Sequence, residues 1–229
     1  MSRSLLYRTA IAVLPLPMLR PVVPPLALLD RLLRRRWWSE TQLEAELDPE
    51  PVEARSDDAQ TIDDGVGDLL LRRYEIGLDG TSVEPIELLD RFRQDPDDFA
   101  PIEYAEFTSG PLRQGMRFTI DLAGPWNGPV EVAEDAPDRI RLATLEDHME
   151  AGWIEFRVVD GDRPVLRIES TARAGSRGFW LLHDVLPFAW WVQTDMWSHV
   201  LEALARSAGV DPLPRVIVTT LRHDDAARV

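Results

Sequence analysis

Residues 153–173 read WIEFRVVDGDRPVLRIESTAR. Ile154, Phe156 and Val158 fall on one face of an extended chain, and Leu166, Ile168, Ser170 and Ala172 fall on one face of the next segment. The Asp160-Gly161 turn between them completes the pattern of a β-hairpin with one apolar face. Arg167 and Glu169 take the opposite face, where a surface ion pair is expected. Upstream the same alternation continues. Gly115–Ala123 puts Met116, Phe118, Ile120 and Leu122 on one side, and Asn127-Gly128 marks a turn. Residues 129–134, 138–145 and the short stretch 103–108 also read as strands. So does 68–78, which ends at the Asp79-Gly80 turn.

Two stretches carry helical spacing instead. Residues 83–94 have Ser82 as a plausible N-cap, Pro85 in the first turn, and Ile86, Leu88, Leu89 and Phe92 as an apolar stripe. Residues 188–207 repeat Trp190, Trp197, Leu201, Leu204 and Ala208 at helical intervals, and Gly209 is a suitable stop. A final apolar run at 215–221 reads as a last strand. The order is thus strand, helix, a meander of about six strands and a long C-terminal helix. An antiparallel sheet must cover its apolar face, and the long helix is the obvious cover. The expected fold class is α+β, a curved antiparallel sheet wrapped around a long C-terminal helix, with an apolar basic N-terminal arm.

Composition bounds the rest. The chain has 229 residues and no Cys, which excludes a disulfide scaffold, thiol catalysis and cysteine-based metal sites. All 25 basic residues are Arg, against 40 acids. Their distribution is uneven: residues 1–40 hold seven Arg against Asp30 and Glu40, while the remainder is strongly acidic. An acidic body is a poor partner for nucleic acid. The apolar stretch 4–33 is broken by Arg8, Arg20 and Asp30 and by five prolines between 15 and 25, which argues against a spanning helix. Residues 26–38 end in Arg34, Arg35, Arg36, Trp37 and Trp38, a basic–aromatic end suited either to a membrane surface or to packing on the domain or on a second subunit as a homodimer. Residues 41–68 contain ten acids and one base and read as a charged linker rather than a calcium loop. The expected organisation is an arm at 1–40, an acidic linker at 41–66, a domain at 67–222 and a tail at 223–229. The localisation expected is cytoplasmic, with the arm as a candidate attachment to the inner membrane face.

Several short pieces carry a resemblance: Gly124-Pro125-Trp126, Ala143-Thr144-Leu145, His148, Glu150-Ala151-Gly152, Ala172-Arg173, Val192-Gln193-Thr194 and Met196-Trp197. With the element order, they resemble a largely uncharacterised bacterial family of the START-like, or SRPBCC, helix-grip superfamily, over about residues 67–209. The resemblance implies a cavity between sheet and helix and a hydrophobic-ligand role, with no known reaction.

Candidate site residues follow from the inward faces. Phe107, Met116, Phe118, Trp126, Phe156, Ile168, Ser170, Trp190, Trp197 and Leu201 would face the gap between sheet and helix. His148, Glu150 and His183 are candidate polar contacts at the cavity mouth; flanking Asp147 and Glu150 are expected to raise the His148 pKa. Asp195, His199 and Glu202 share a helical face, but it is offset from the Trp190–Trp197–Leu201 stripe and should point to solvent, so no metal is assigned. No GxSxG elbow, HExxH pair or glycine-rich phosphate loop is present, and no cofactor is expected. The leading expectation is a module that binds a hydrophobic small molecule or lipid. The alternatives are a cavity-less interaction or oligomerisation protein and a cyclase- or aromatase-like enzyme using His148 or His183.

Overall fold

The hairpin closes as its alternation requires. Phe156 lies opposite Ile168 and Val158 opposite Leu166, so the two apolar rows share one face. The computed structural model describes residues 38–50, 52, 54, 56–101, 105–122, 128–180 and 187–223. Most of the arm, including 26–37 of the candidate membrane-facing segment, lies outside the described residues, as do Trp126, His183 and 224–229 of the tail. Among the described residues the strands are β1 (Trp38–Glu44), β2 (Val66–Gly77), β3 (Ala105–Phe107), β4 (Arg117–Leu122), β5 (Gly128–Ala136), β6 (Arg139–Thr144), β7 (Glu150–Val159), β8 (Val165–Ala174) and β9 (Val216–His223). The two principal helices are α1 (Pro85–Gln94) and α2 (Pro187–Ser207). All nine strands form one curved open sheet in the order β1-β9-β2-β8-β7-β6-β5-β4-β3, antiparallel except for the parallel β1–β9 pair. The long helix α2 covers the concave face, which is the α+β helix-grip arrangement.

Register explains why one face is apolar throughout. Ile76, Tyr74, Ile168, Phe156 and Ile140 fall in matching rows of β2, β8, β7 and β6. A slip of one residue would turn each row outward. Against them α2 buries Val200, Leu201, Leu204 and Ala205, and Ala208, just past its end, is buried too. Each buried Leu-sized side chain stabilises the fold by roughly 1.5–3 kcal/mol. On the convex face the charges pair across strands: Arg73 with Glu169 at 2.6 Å, and Arg167 with Glu75 at 2.6 Å. The expected ion pair at Arg167 and Glu169 is therefore two pairs, each made with β2, because side chains directly opposite lie closer than neighbours along a strand.

Three expectations change. First, α1 begins at Pro85 with Glu84 as N-cap, since proline is preorganised for the first helical position. Ser82 instead donates its hydroxyl to the Ala208 carbonyl at 2.8 Å, satisfying an acceptor at the end of α2. Ile86 is exposed, while Leu88, Leu89 and Phe92 are buried. Second, the boundary at residue 40 falls inside β1, whose Glu40 pairs in register with Val218 of β9.

Third, the acidic stretch is a strap and not a free linker. Glu50 pairs with Arg141 at 2.7 Å, Asp58 pairs with Arg117, and Ser56 donates to Glu131. The Gln60 amide donates to the Thr144 carbonyl at 2.8 Å, and the Gly152 amide donates to the Gln60 carbonyl at 3.1 Å. A 3-10 turn at Ile62–Asp64 follows, with Asp64 accepting the Thr61 amide at 2.8 Å. The acids that looked self-repelling in one dimension meet arginines of β4 and β6 in three. The buried Arg141–Glu155 pair, at 2.5 Å, anchors that charged layer.

No helix among the described residues is long and apolar enough to cross a membrane.

Candidate functional site

On the concave face of four neighbouring strands the side chains end in their smallest member, at the same end of the sheet. On β8 they run Leu166, Ile168, Ser170, Ala172; on β7, Val158, Phe156, Ile154, Gly152. On β6 they run Ile140, Leu142, Thr144, and on β5, Val132, Val130, Gly128. Because the registers align these series, the large residues gather at one end of the sheet and the small ones at the other.

At the large end the interface is closed by rings. Phe92 lies 4.6 Å from Phe156 between centroids, Phe156 meets Trp197 edge-on at 5.5 Å, and Phe107 lies 6.3 Å from both Phe118 and Trp197. At the small end a cavity of ≈ 70 Å³ remains. Its sheet wall is Ile120, Gly128, Val130, Thr144, Trp153, Ile154, Ser170 and Ala172; α2 supplies Val192, Gln193, Met196 and Trp197; connecting segments supply His148, Met149 and Phe179. Glu150, the first residue of β7, completes the lining. Two glycines shape this end. Gly152 has φ +152, and a Cβ there would run into the Thr171 carbonyl. A Cβ on Gly128 would stand 2.6 Å from His148 Nε2, so the imidazole can lie against the strand only because position 128 has no side chain.

His148 follows Asp147, which holds a left-handed φ of 70 and is exposed. Nδ1 of His148 lies 2.8 Å from the Glu150 amide nitrogen, which donates to it, and 2.9 Å from the Glu150 carbonyl. Burial drives the His148 pKa below its ordinary value, and the nearby Glu150 charge opposes this without prevailing. The upward shift expected from the flanking carboxylates is thus reversed: Asp147 is exposed and desolvation dominates. The ring is neutral at pH 7, with Nδ1 as acceptor and the proton on Nε2.

Beyond His148 the polar groups form a chain. Gln193 Nε2 donates to both Glu150 carboxylate oxygens, at 3.0 and 3.1 Å. Arg72 of β2 donates to Gln193 Oε1 and, at 2.5 Å, to Thr194 Oγ1. The Thr194 hydroxyl donates to the Trp190 carbonyl at 2.8 Å. The Arg72 guanidinium lies over the Trp190 ring, 3.7 Å from its centroid, and Trp190 Nε1 donates to Glu40 of β1 at 3.0 Å. Burial pushes the neighbouring Tyr74 phenol well up, against the pull of Arg72, so it stays protonated.

The expected site residues divide accordingly. Ser170, Trp197, His148 and Glu150 line the cavity. Phe107, Phe118, Phe156, Ile168 and Leu201 lie in the packed core, with Met116 partly buried against it. Trp190 covers Arg72 instead of the cavity. Asp195 and Glu202 are buried at 5% and 3% exposure, so that face of α2 does not point to solvent as expected. No group of three or more metal-binding side chains exists among the described residues. The sequence reading missed Arg72, Gln193, Met149, Val192, Met196 and Phe179, and it placed Thr144 and Ala172 on inward faces without assigning them to the site. The taper on β8 was the available signal; it becomes informative only when the neighbouring strands are set in register.

The Thr144 hydroxyl is engaged with the backbone of Gln60 and Gly152, and His148 Nδ1 with the backbone of Glu150. Among the described residues no cavity hydroxyl is held by a base in the way an activated nucleophile requires. A second space, ≈ 450 Å³, lies between the strap and the convex face. Its walls mix Asp63, Arg173 and His223 with Leu47, Ile62 and Trp153, and it lacks the apolar enclosure of the concave cavity.

No family model matches the chain, and no curated protein matches it in sequence. Among solved structures it is similar to protein Ms6760 from Mycobacterium smegmatis, at 17% identity over 69% of this chain and 97% of that one, with a TM-score of 0.41. It is also similar to a conserved protein from Geobacillus kaustophilus, at 16% identity over 61% and 95%, TM-score 0.41. CalU16 from Micromonospora echinospora matches at 19% identity over 69% and 74%, TM-score 0.36.

Proposed function

We propose that this protein binds a small hydrophobic molecule, or the acyl part of a lipid, in the cavity between the concave face of the sheet and α2. The observation that carries this reading is the contrast within one interface. A protein core is normally packed without voids larger than a water molecule. Here one end is closed by stacked rings, while the other is walled by Gly128, Ser170 and Ala172 and left open to ≈ 70 Å³. The cavity is smaller than the roughly 300–1,000 Å³ of common ligand sites. Met149 and Met196 in its wall supply the adjustment that a larger guest needs, since thioether side chains repack at small cost.

Native mass spectrometry of gently purified protein, with solvent extraction of what it carries, tests the reading. A discrete added mass that extracts into organic solvent is the expected result. A clean protein mass that persists after incubation with a lipid extract overturns it. Ala172→Leu gives the matched control: the three added carbons fill the cavity, so the folded variant should carry no guest.

A further inference from the structure

Arg72 sits where the packed and open ends of the concave face meet, opposite Ser170 in the β2–β8 register. It is 2% exposed. Its terminal nitrogens meet neutral acceptors only, the Gln193 amide oxygen and the Thr194 hydroxyl, and its flat face meets Trp190. Its Nε–H has no acceptor. Among the described residues no carboxylate lies within ion-pair distance of it; Glu150 reaches it only through the Gln193 side chain. A guanidinium cannot shed its proton, and a buried charge without a counter-ion is strongly disfavoured. A void of ≈ 20 Å³ beside Arg72 is bounded by Glu150, Ser170 and Ala172, the same three residues that bound the main cavity. The apolar cavity and a buried cation with no carboxylate in direct contact are therefore separated by one layer of side chains, Glu150, Ser170 and Ala172.

We propose that the ligand is an apolar acid, with its hydrocarbon part in the cavity and its carboxylate on Arg72. This rests on the binding reading above and names the head group that such a ligand carries. Nε–H and a terminal N–H of a guanidinium form the fork that receives a carboxylate through two parallel hydrogen bonds. Gln193 and Thr194 are weaker, neutral acceptors and yield to it. Of the other charges at the small void, Asp68 is paired with Arg222 at 2.6 Å, Arg173 adds a second cation, and Glu150 stays bound to Gln193. A carboxylate supplies the charge that Arg72 lacks. An alcohol of equal length supplies only an acceptor, and an amine supplies a second positive charge.

The test uses the full chain at neutral pH with butyrate, hexanoate and octanoate and the matching alcohols and amines, read by titration calorimetry. The acids should bind roughly 10- to 100-fold tighter than the alcohols, the range of a charge-assisted hydrogen bond, and the amines should not bind. Arg72→Gln should bring acid and alcohol to equal affinity. If that variant does not fold, the acid-to-alcohol ratio of the wild type decides alone. Equal affinity of acids and alcohols in the wild type overturns the head-group assignment and leaves cavity binding standing. Failure of acids, alcohols and amines alike overturns the cavity reading and this proposal with it.

Discussion

The two ends of the α2–sheet interface are built on the same strands, in the same register, under the same helix, yet they do different things. At one end Phe92, Phe107, Phe118, Phe156 and Trp197 fill the space with rings in tilted and edge-on contact. At the other, Gly128, Ser170 and Ala172 leave room, and the polar chain from His148 to Arg72 borders it. The comparison teaches that alternation decides which face is inside, whereas side-chain size decides whether the inside is full. The packed end supplies the stability that allows the open end to remain unfilled.

The largest effect should come from cutting a ring out of the packed end. Phe156→Ala should cost about 3–5 kcal/mol in urea unfolding, as expected for a large-to-small change at a buried ring that touches both Phe92 and Trp197. Met196→Ala, at the cavity wall, should cost less, about 2 kcal/mol, because Met196 already has empty space on one side. Equal losses would mean that the cavity is filled in solution.

Small-to-large changes should separate the ends in the opposite sense. Ala205, on the sheet-facing side of α2, is fully buried at the packed end. Ala205→Leu should overpack it and destabilise by roughly 1–3 kcal/mol, measured from the same unfolding curves. Ala172→Leu should change stability by less than about 1 kcal/mol, since the cavity receives the added carbons. A penalty at Ala172 as large as that at Ala205 would show that the open end does not exist as such.

The smallest effect is a pH dependence confined to the open end. The folded pKa of His148 lies below its ordinary value of 6.5, because burial outweighs the attraction of Glu150. The unfolded chain therefore takes up a proton that the folded chain resists. The contribution of His148 is whole above pH 6.5 and is lost as pH falls through the folded value. His148→Gln should flatten that part of the stability profile relative to wild type, while Phe156→Ala should shift the whole profile without changing its slope there. An unchanged slope in His148→Gln would place the ring in water.

Much of the architecture is legible in the residues alone. Period-two alternation in 115–123 and 153–173, the Asp-Gly turns and the helical recurrence of Trp197, Leu201 and Leu204 identify the sheet, its inner face and its cover. Less legible were the elements whose reason lies elsewhere in the chain. β1 reads WSETQLE, a polar edge strand with no apolar alternation, and only its parallel pairing with β9 makes it a strand. The acids of the strap look like a solvated run until Arg117 and Arg141 stand opposite them. Asp195 and Glu202 gave no sign of burial, because helical spacing places residues on a face without saying what lies against it.

The fold class, the apolar face and the long covering helix are thus readable from the residues alone, because these rest on periodicities of local chain geometry. Tertiary structure alone decided where the core is left open and which buried charge beside it has no carboxylate in direct contact. A cavity arises when small residues on several strands coincide in register. A buried cation such as Arg72 gains its meaning from neighbours about a hundred residues away in sequence, such as Ser170, Gln193 and Thr194. Neither property belongs to any single segment.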